Sequence, residues 1–277
     1  MQIDAHQHFW VYSPGEYGWI DDSMAVLKRN FLPDDLSPEL ENSGFKGSVV
    51  VQTRQTLEET RWLLKLADSS PKILGVVGWV DLCCAECRAQ LKAFAPHPKF
   101  VGVRHIVQSE SDDRFLLRQD FLRGISLLEE FDLAYDILIY TRHLPVALEF
   151  VEKFPRQRFV LDHLAKPPIK NQEIDVWAQG IRRLAEFPNV FSKLSGLVTE
   201  ADWGHWKPED ITPYLEIAFE TFGPSRLMIG SDWPVCLVAS SYGSVLDVVR
   251  NYLQRYSPEE REAVVGGNAQ RFWRLKT

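Results

Sequence analysis

Three features of the sequence predict a distorted (β/α)8 TIM barrel. Eight short, β-branched apolar runs alternate with segments that carry helix punctuation. No GxGxxG or GxxxxGK(S/T) turn follows an early run, as a doubly wound nucleotide-binding sheet would need. Polar residues gather at the C-terminal ends of several different runs, which is where barrel sites are built. Residues 1–277 are read as a single barrel domain with extra helices after the last strand.

The predicted strands are Gln2–His6, Ser48–Thr53, Ile73–Val80, Phe100–Arg104, Ala134–Tyr140, Phe159–His163, Val190–Ser195 and Leu227–Asp232. Runs such as Ser48-Val-Val-Val-Gln52 suit strands covered on both faces. After the first strand, Ser37 as N-cap, Pro38 at N1 and Gly44 at C′ predict a helix. Thr56 with Glu59 has capping-box spacing, and Trp62, Leu63 and Leu66 share the apolar face behind it. Asp81 is placed to cap a helix carrying Cys83, Cys84 and Cys87. Leu117, Phe121, Ile125 and Leu128 form another apolar face. Pro213 opens a further helix and Pro224 follows its end, while Ser257 and Glu260 repeat the capping-box spacing. The connections 9–33 and 105–114 are long enough to act as lids over the barrel mouth.

Composition narrows the function. A net charge of −7 supplies no basic stripe, which argues against nucleic-acid and anionic-membrane partners. No apolar run approaches the roughly 20 residues of a membrane helix. Strand-like sequence follows Met1 at once, so a cytoplasmic protein is expected. Cys83, Cys84 and Cys87 lack the second ligand pair of a zinc motif and, with Cys236, are read as reduced thiols. The apolar helix faces leave open both a monomer and a homo-oligomer.

The chemistry-bearing residues sit at strand ends. In Asp4-Ala-His6-Gln-His8, residues two apart share a face, so His6 and His8 point together. Two such imidazoles can share a divalent ion or donate to an oxyanion. In Phe159-Val-Leu-Asp162-His163, alternation admits one of Asp162 and His163, and His163 is expected inward. Asp232, after Met228-Ile-Gly-Ser, is costly to bury unless charges or hydrogen bonds hold it, which suits a general base. Arg104 is a fixed cation for a carbonyl or carboxylate oxygen. Its neighbour His105 faces the other way. Gln52, Trp79, Tyr140 and Lys193 occupy further strand ends; Lys193 either binds substrate or pairs with an acid.

Taken in order, Asp4-Ala-His6-Gln-His8-Phe-Trp10, Val101-Gly-Val-Arg104-His105, Val160-Leu-Asp-His163-Leu-Ala-Lys166-Pro167, Lys193-Leu-Ser-Gly196, Ile229-Gly-Ser-Asp232-Trp-Pro234 and Gly267-Asn-Ala-Gln-Arg-Phe272 resemble the amidohydrolase superfamily. More narrowly, they resemble its branch of fuconolactonase- and rhamnonolactonase-like proteins. The resemblance implies hydrolysis of a sugar-acid lactone by water that Asp232 activates. It places His6, His8, His163 and Asp232 at the catalytic positions. It places Arg104 at a substrate-binding position; Gln52, Trp79, Lys193 and Trp10 are further candidates for substrate contact by their own placement. One divalent metal, zinc by preference, would be held by His6, His8, His163 and Asp232, or none would be needed. A two-metal site is not expected, because the fifth strand, Tyr135-Asp-Ile-Leu-Ile-Tyr140, has no lysine and its carboxylate lies near its start. Two rivals remain at this stage: a metal-dependent nonoxidative decarboxylase of the same superfamily, and a non-catalytic sugar-binding barrel.

Overall fold

The computed structural model describes residues 1–276. Eight parallel strands lie in sequence order: β1 (Ile3–Gln7), β2 (Gly47–Val51), β3 (Ile73–Gly78), β4 (Phe100–His105), β5 (Ala134–Ile137), β6 (Phe159–Leu161), β7 (Val190–Leu194) and β8 (Leu227–Ile229). One principal helix follows each: α1 (Pro33–Asn42), α2 (Leu57–Ser69), α3 (Cys87–Phe94), α4 (Gln119–Leu128), α5 (Leu144–Glu152), α6 (Asp175–Ala185), α7 (Pro208–Phe222) and α8 (Tyr242–Tyr252). The predicted barrel is present. Its strands mostly stop short of the predicted ends, because the chain leaves extended geometry where it builds the site.

The barrel interior holds Val49, Val51, Val77, Val101, Ala134, Val160 and Met228, and Phe272, Trp273 and Leu275 of the C-terminal segment plug it from the N-terminal side. The outer strand faces pack on the helices, among them Leu63 of α2, Phe121, Ile125 and Leu128 of α4, and Phe150 of α5.

Asp81 accepts the Cys83 and Cys84 N–H groups in a turn, and α3 begins only at Cys87, so the expected helix starts late. Two other helices start upstream of expectation. α1 begins at Pro33 rather than after Ser37, with the Leu32 N–H donating to the Asp35 carboxylate at 2.9 Å. α7 begins at Pro208, where the Lys207 N–H donates to Asp210 at 2.8 Å, and Pro213 lies inside it. In both cases an upstream proline backed by acidic residues is the better opening for a helix N-terminus. Ser257 and Glu260 form the reciprocal box. At Thr56 only half of it forms: the hydroxyl accepts from the Glu59 N–H, while the Glu59 carboxylate takes the N–H groups of Thr53 and Arg54.

Barrel closure relies on a carboxylate. Between β8 and β1 the backbone supplies two bonds near the mouth, Asp232 N–H to the His6 carbonyl (2.8 Å) and His8 N–H to the Trp233 carbonyl (2.7 Å). Below them Asp4 stands in for a ladder. It accepts from Ser231 N–H (2.9 Å), Ser231 Oγ (2.6 Å), His6 N–H (3.1 Å) and Tyr242 Oη (3.1 Å). Burial pushes Asp4 up to about 6 against those donors. Asp4→Asn puts an amide N–H₂ against hydroxyl donors and is expected to cost about 2 kcal/mol of stability. Urea denaturation should show a lower midpoint with the same slope; an unchanged midpoint would remove Asp4 from the closure.

Candidate active site

Strict alternation from Asp4 would place it on one face with His6 and His8. The β1–β2 register shifts between Asp4 and Gln7. Asp4 therefore serves the seam, while both imidazoles enter the mouth with their Nε2 atoms 3.1 Å apart. The His8 Nδ1 lies 2.7 Å from the Val51 carbonyl, which only accepts. The proton is thereby fixed on Nδ1, and His8 Nε2 presents a lone pair.

β6 ends at Leu161, and His163, Leu164, Ala165 and Lys166 all have φ between 51° and 59°. That left-handed turn ends the alternation, so Asp162 and His163 both reach the site, contrary to the expectation of one. A left-handed non-glycine residue costs about 1 kcal/mol, which the contacts at the turn must offset. His163 Nδ1 is 2.8 Å from Ser195 Oγ, and its Nε2 faces Asp232 Oδ1 at 3.8 Å. Asp232 is itself left-handed, with φ 57°. The same Oδ1 lies 3.3 Å from His8 Nε2 and 3.7 Å from His6 Nε2. The structure thus brings together the three imidazoles and the carboxylate at the C-terminal ends of β1, β6 and β8.

Electrostatics divide these groups. Burial lowers His6 well below its ordinary value, reinforced by Lys193 against the opposing charge of Asp162. Burial likewise pushes His163 down to about 4. Burial alone would raise Asp232, but the neighbouring imidazoles, His163 foremost and then His8 and His6, hold it below the usual carboxylate range. Neutral His6 and His163 around an ionised carboxylate are the result at pH 7.

Beneath this cluster lies a buried charge network. Lys193 Nζ contacts Asp136 Oδ2 (2.5 Å), Asp162 Oδ1 (2.9 Å) and His6 Nδ1 (3.0 Å). Arg104 Nη1 donates to Asp162 Oδ2 at 2.9 Å, and its Nη2 donates to the Gln52 carbonyl and to Gln52 Oε1. Lys193 is wholly buried, so of its two expected roles it takes the acid pairing and not a substrate contact. Gln52 is equally buried and holds Arg104. Trp79 Nε1 donates to His105 Nδ1 at 3.3 Å, and Trp10 Nε1 donates to the Arg29 carbonyl within an aromatic cluster of Tyr17 and Phe31. None of these four lines the cavity, because a small barrel fills its mouth with its own side chains. Arg104 does line it, with both η nitrogens committed to protein acceptors.

A cavity of about 440 Å³ opens directly above His8, His163, Asp232 and Arg104. Its walls include Trp19, Tyr140, Trp203, Gln108, Lys166 and Glu200, with Met24, Val235 and Val238 making an apolar side. Lys166 pairs with Glu200 at 3.2 Å. The sequence reading gave Lys166, Glu200 and Trp203 no role. Trp19 falls in the connection expected to act as a lid, and that expectation was the one usable signal for it.

Donor chemistry fits a divalent ion. His6, His8 and Asp232 each offer a ligand atom within 4.8 Å of one another, as do His6, Asp162 and His163. An N/N/O set of this kind suits zinc. His6 Nε2 ligates only if its proton sits on Nδ1, facing Asp162 Oδ1 at 3.4 Å instead of accepting from Lys193. The four cysteines are free, and none belongs to a metal-capable group among the described residues. Burial pushes the Cys87 thiol up to about 12. No helix among the described residues is long and apolar enough to cross a membrane.

Parallel strands closed into a barrel, with imidazoles and a carboxylate converging on a cavity at their C-terminal ends, define a (β/α)8-barrel enzyme of hydrolytic type. Residues 3–275 match the family described as Amidohydrolase, and the chain belongs to that family. It is 41% identical over 286 residues to an L-fucono-1,5-lactonase of Burkholderia multivorans, covering 99% of this chain and 96% of that one. It is 40% identical to the L-fucono-1,5-lactonase of Burkholderia ambifaria over 99% and 96% of the two chains. A crystal structure of a Burkholderia multivorans amidohydrolase with bound zinc superposes with a TM-score of 0.95 at 41% identity, covering all of both chains.

Proposed function

We propose that this protein opens a sugar-acid lactone, with L-fucono-1,5-lactone the first substrate to try and L-rhamnonolactone the second. The observation that carries the reading is Asp232 Oδ1, ionised, facing three imidazoles at the floor of a polar and aromatic cavity. Whole-chain likeness to lactonases supports it.

Asp232 takes a proton from water as the water oxygen bonds to the lactone carbonyl carbon. The carbonyl electron pair moves onto oxygen. His163 Nε2, which carries a proton when Ser195 Oγ donates to Nδ1, faces that oxyanion, and the Arg104 charge behind His6 adds to its stabilisation. The ring C–O bond then breaks, and protonated Asp232 returns its proton to the departing alkoxide. An alkoxide leaves more readily than an amine, so modest electrophilic help is enough. His6, His8 and Asp232 would hold a divalent ion, which when bound supplies Lewis-acid polarisation of the carbonyl. The rings of Trp19, Tyr140 and Trp203 offer faces to the sugar carbons, and Gln108, Lys166 and Glu200 offer partners to its hydroxyls. The decarboxylase alternative draws no support from the relatives at about 40% identity, which are lactonases.

Proton release measured at constant pH across a panel of aldonolactones, with and without chelator, tests the reading. Acid production well above spontaneous opening, saturating with a 6-deoxy-hexonolactone, is expected. Saturable binding with no acid release would end it. Activity that survives chelation would assign the chemistry to the chain's own residues.

A further inference from the structure

We propose that Lys193 is a positioning residue that holds the His6 ring proton on Nε2. His6 is then a hydrogen-bond donor in the metal-free site and must exchange tautomers before it can ligate a metal. This goes beyond the lactonase reading and does not depend on which ester is opened.

A neutral imidazole has one proton to place on two nitrogens, and burial keeps His6 neutral at pH 7. At Nδ1 the nearest group is the Lys193 ammonium, 3.0 Å away, with Asp162 Oδ1 farther off at 3.4 Å. An ammonium carries three N–H donors and no lone pair, so Nδ1 is the acceptor in that contact. Nζ also meets Asp136 Oδ2 (2.5 Å) and Asp162 Oδ1 (2.9 Å), and lies 5.1 Å from the centroid of the Trp273 ring in the C-terminal plug. These contacts hold the wholly buried ammonium in place beneath His6.

The other ring nitrogen gives the same answer independently. His8 donates its Nδ1 proton to the Val51 carbonyl, which leaves a lone pair on His8 Nε2, 3.1 Å from His6 Nε2. Two lone pairs repel at that distance, whereas a proton on His6 Nε2 makes the contact a hydrogen bond. Arg104 Nη1 also approaches His6 Nε2, at 3.4 Å, but its shorter bond goes to Asp162 Oδ2 at 2.9 Å. The donors thus run in one direction, from Lys193 to His6, from His6 to His8, and from His8 to the Val51 carbonyl.

Ligation reverses the requirement at His6. Its Nε2 is the nitrogen that faces His8 and Asp232, its partners in the metal-capable set at the cavity floor. Both Nε2 atoms would then need lone pairs, which puts the His6 proton on Nδ1, an N–H facing the ammonium. Asp162 Oδ1 is the acceptor that proton would need, and Lys193 holds it already. The group behind the far nitrogen of a ligating imidazole is worth about 10–100-fold in metal affinity. A donor there works against the metal, so Lys193 weakens binding without touching it.

The test reads tautomers and zinc affinity on the full chain, and neither needs turnover. Long-range ¹⁵N–¹H NMR of the metal-free wild type, with signals assigned by their loss in His6→Gln and His8→Gln, should show His6 protonated on Nε2 and His8 on Nδ1. The variant Lys193→Met with Asp136→Asn removes one charge of each sign, so the net charge of the network is unchanged. Its His6 proton should move to Nδ1, facing Asp162. Competition with a chromophoric chelator should show it binding zinc about 10-fold or more tightly than wild type. The proposal is overturned if metal-free wild type carries the His6 proton on Nδ1. It is equally overturned if the folded variant keeps that proton on Nε2, or binds zinc no more tightly than wild type. Should the variant fail to fold, the wild-type spectrum decides alone.

Discussion

Asp232→Asn is expected to lower kcat for lactone opening by about 10³-fold, with KM close to that of the wild type. The two side chains share shape and size, and the position is left-handed, a conformation asparagine tolerates well. Loss of fold is therefore not the expected outcome. What disappears is the proton acceptor. In the wild type, the three imidazoles hold this carboxyl below its ordinary value despite burial, so it is ready to accept a proton throughout the neutral range. The acid limb of the kcat profile should accordingly lie below the usual carboxylate range. Asparagine cannot cycle a proton from water to alkoxide, whatever else remains in the cavity. Steady-state kinetics with a responsive lactone, alongside urea curves for both proteins, separate catalysis from stability. A variant that keeps more than a tenth of wild-type kcat, correctly folded, takes Asp232 out of the role of base.

How much of this was legible beforehand depends on geometry. Strands buried on both faces leave continuous Val- and Ile-rich runs, so all eight could be read, and a residue at the end of such a run must lie near the mouth. That logic placed His6, His8, His163, Arg104 and Asp232 at the mouth. It failed wherever side-chain direction depended on regular alternation. The register shift after Asp4 and the left-handed turn after Asp162 both break the period of two. Sequence spacing therefore gave no sign of Asp4 at the seam and forced a choice between Asp162 and His163 that the protein does not make. The partners of Lys193 come from β1, β5 and the β6 end, far apart in the chain, and only the closed barrel brings Asp136 to it. Loop residues on the cavity wall, such as Glu200 and Trp203, have no period to betray them.

Gly196 is the residue whose importance was least visible, and Gly196→Ala should reduce kcat by about 10²-fold or more. Its φ is +65°, and a methyl carbon built on it would sit 2.6 Å from His163 Nδ1 and 3.2 Å from Asp232 Oδ2. Neither neighbour has an easy retreat. His163 is held by Ser195 Oγ and by the left-handed turn that carries it, and Asp232 is confined among imidazoles. The backbone conformation itself costs alanine about 1 kcal/mol, and displacing the imidazole adds to that. The larger effect falls on rate, since shifting a reacting group by about 1 Å costs about 10²-fold. Gly204 supplies the control: no atom lies within 4 Å of the methyl it would carry, so Gly204→Ala should be kinetically silent. Should Gly196→Ala retain wild-type kcat with a normal urea midpoint, His163 would not be working at the place where the fold holds it.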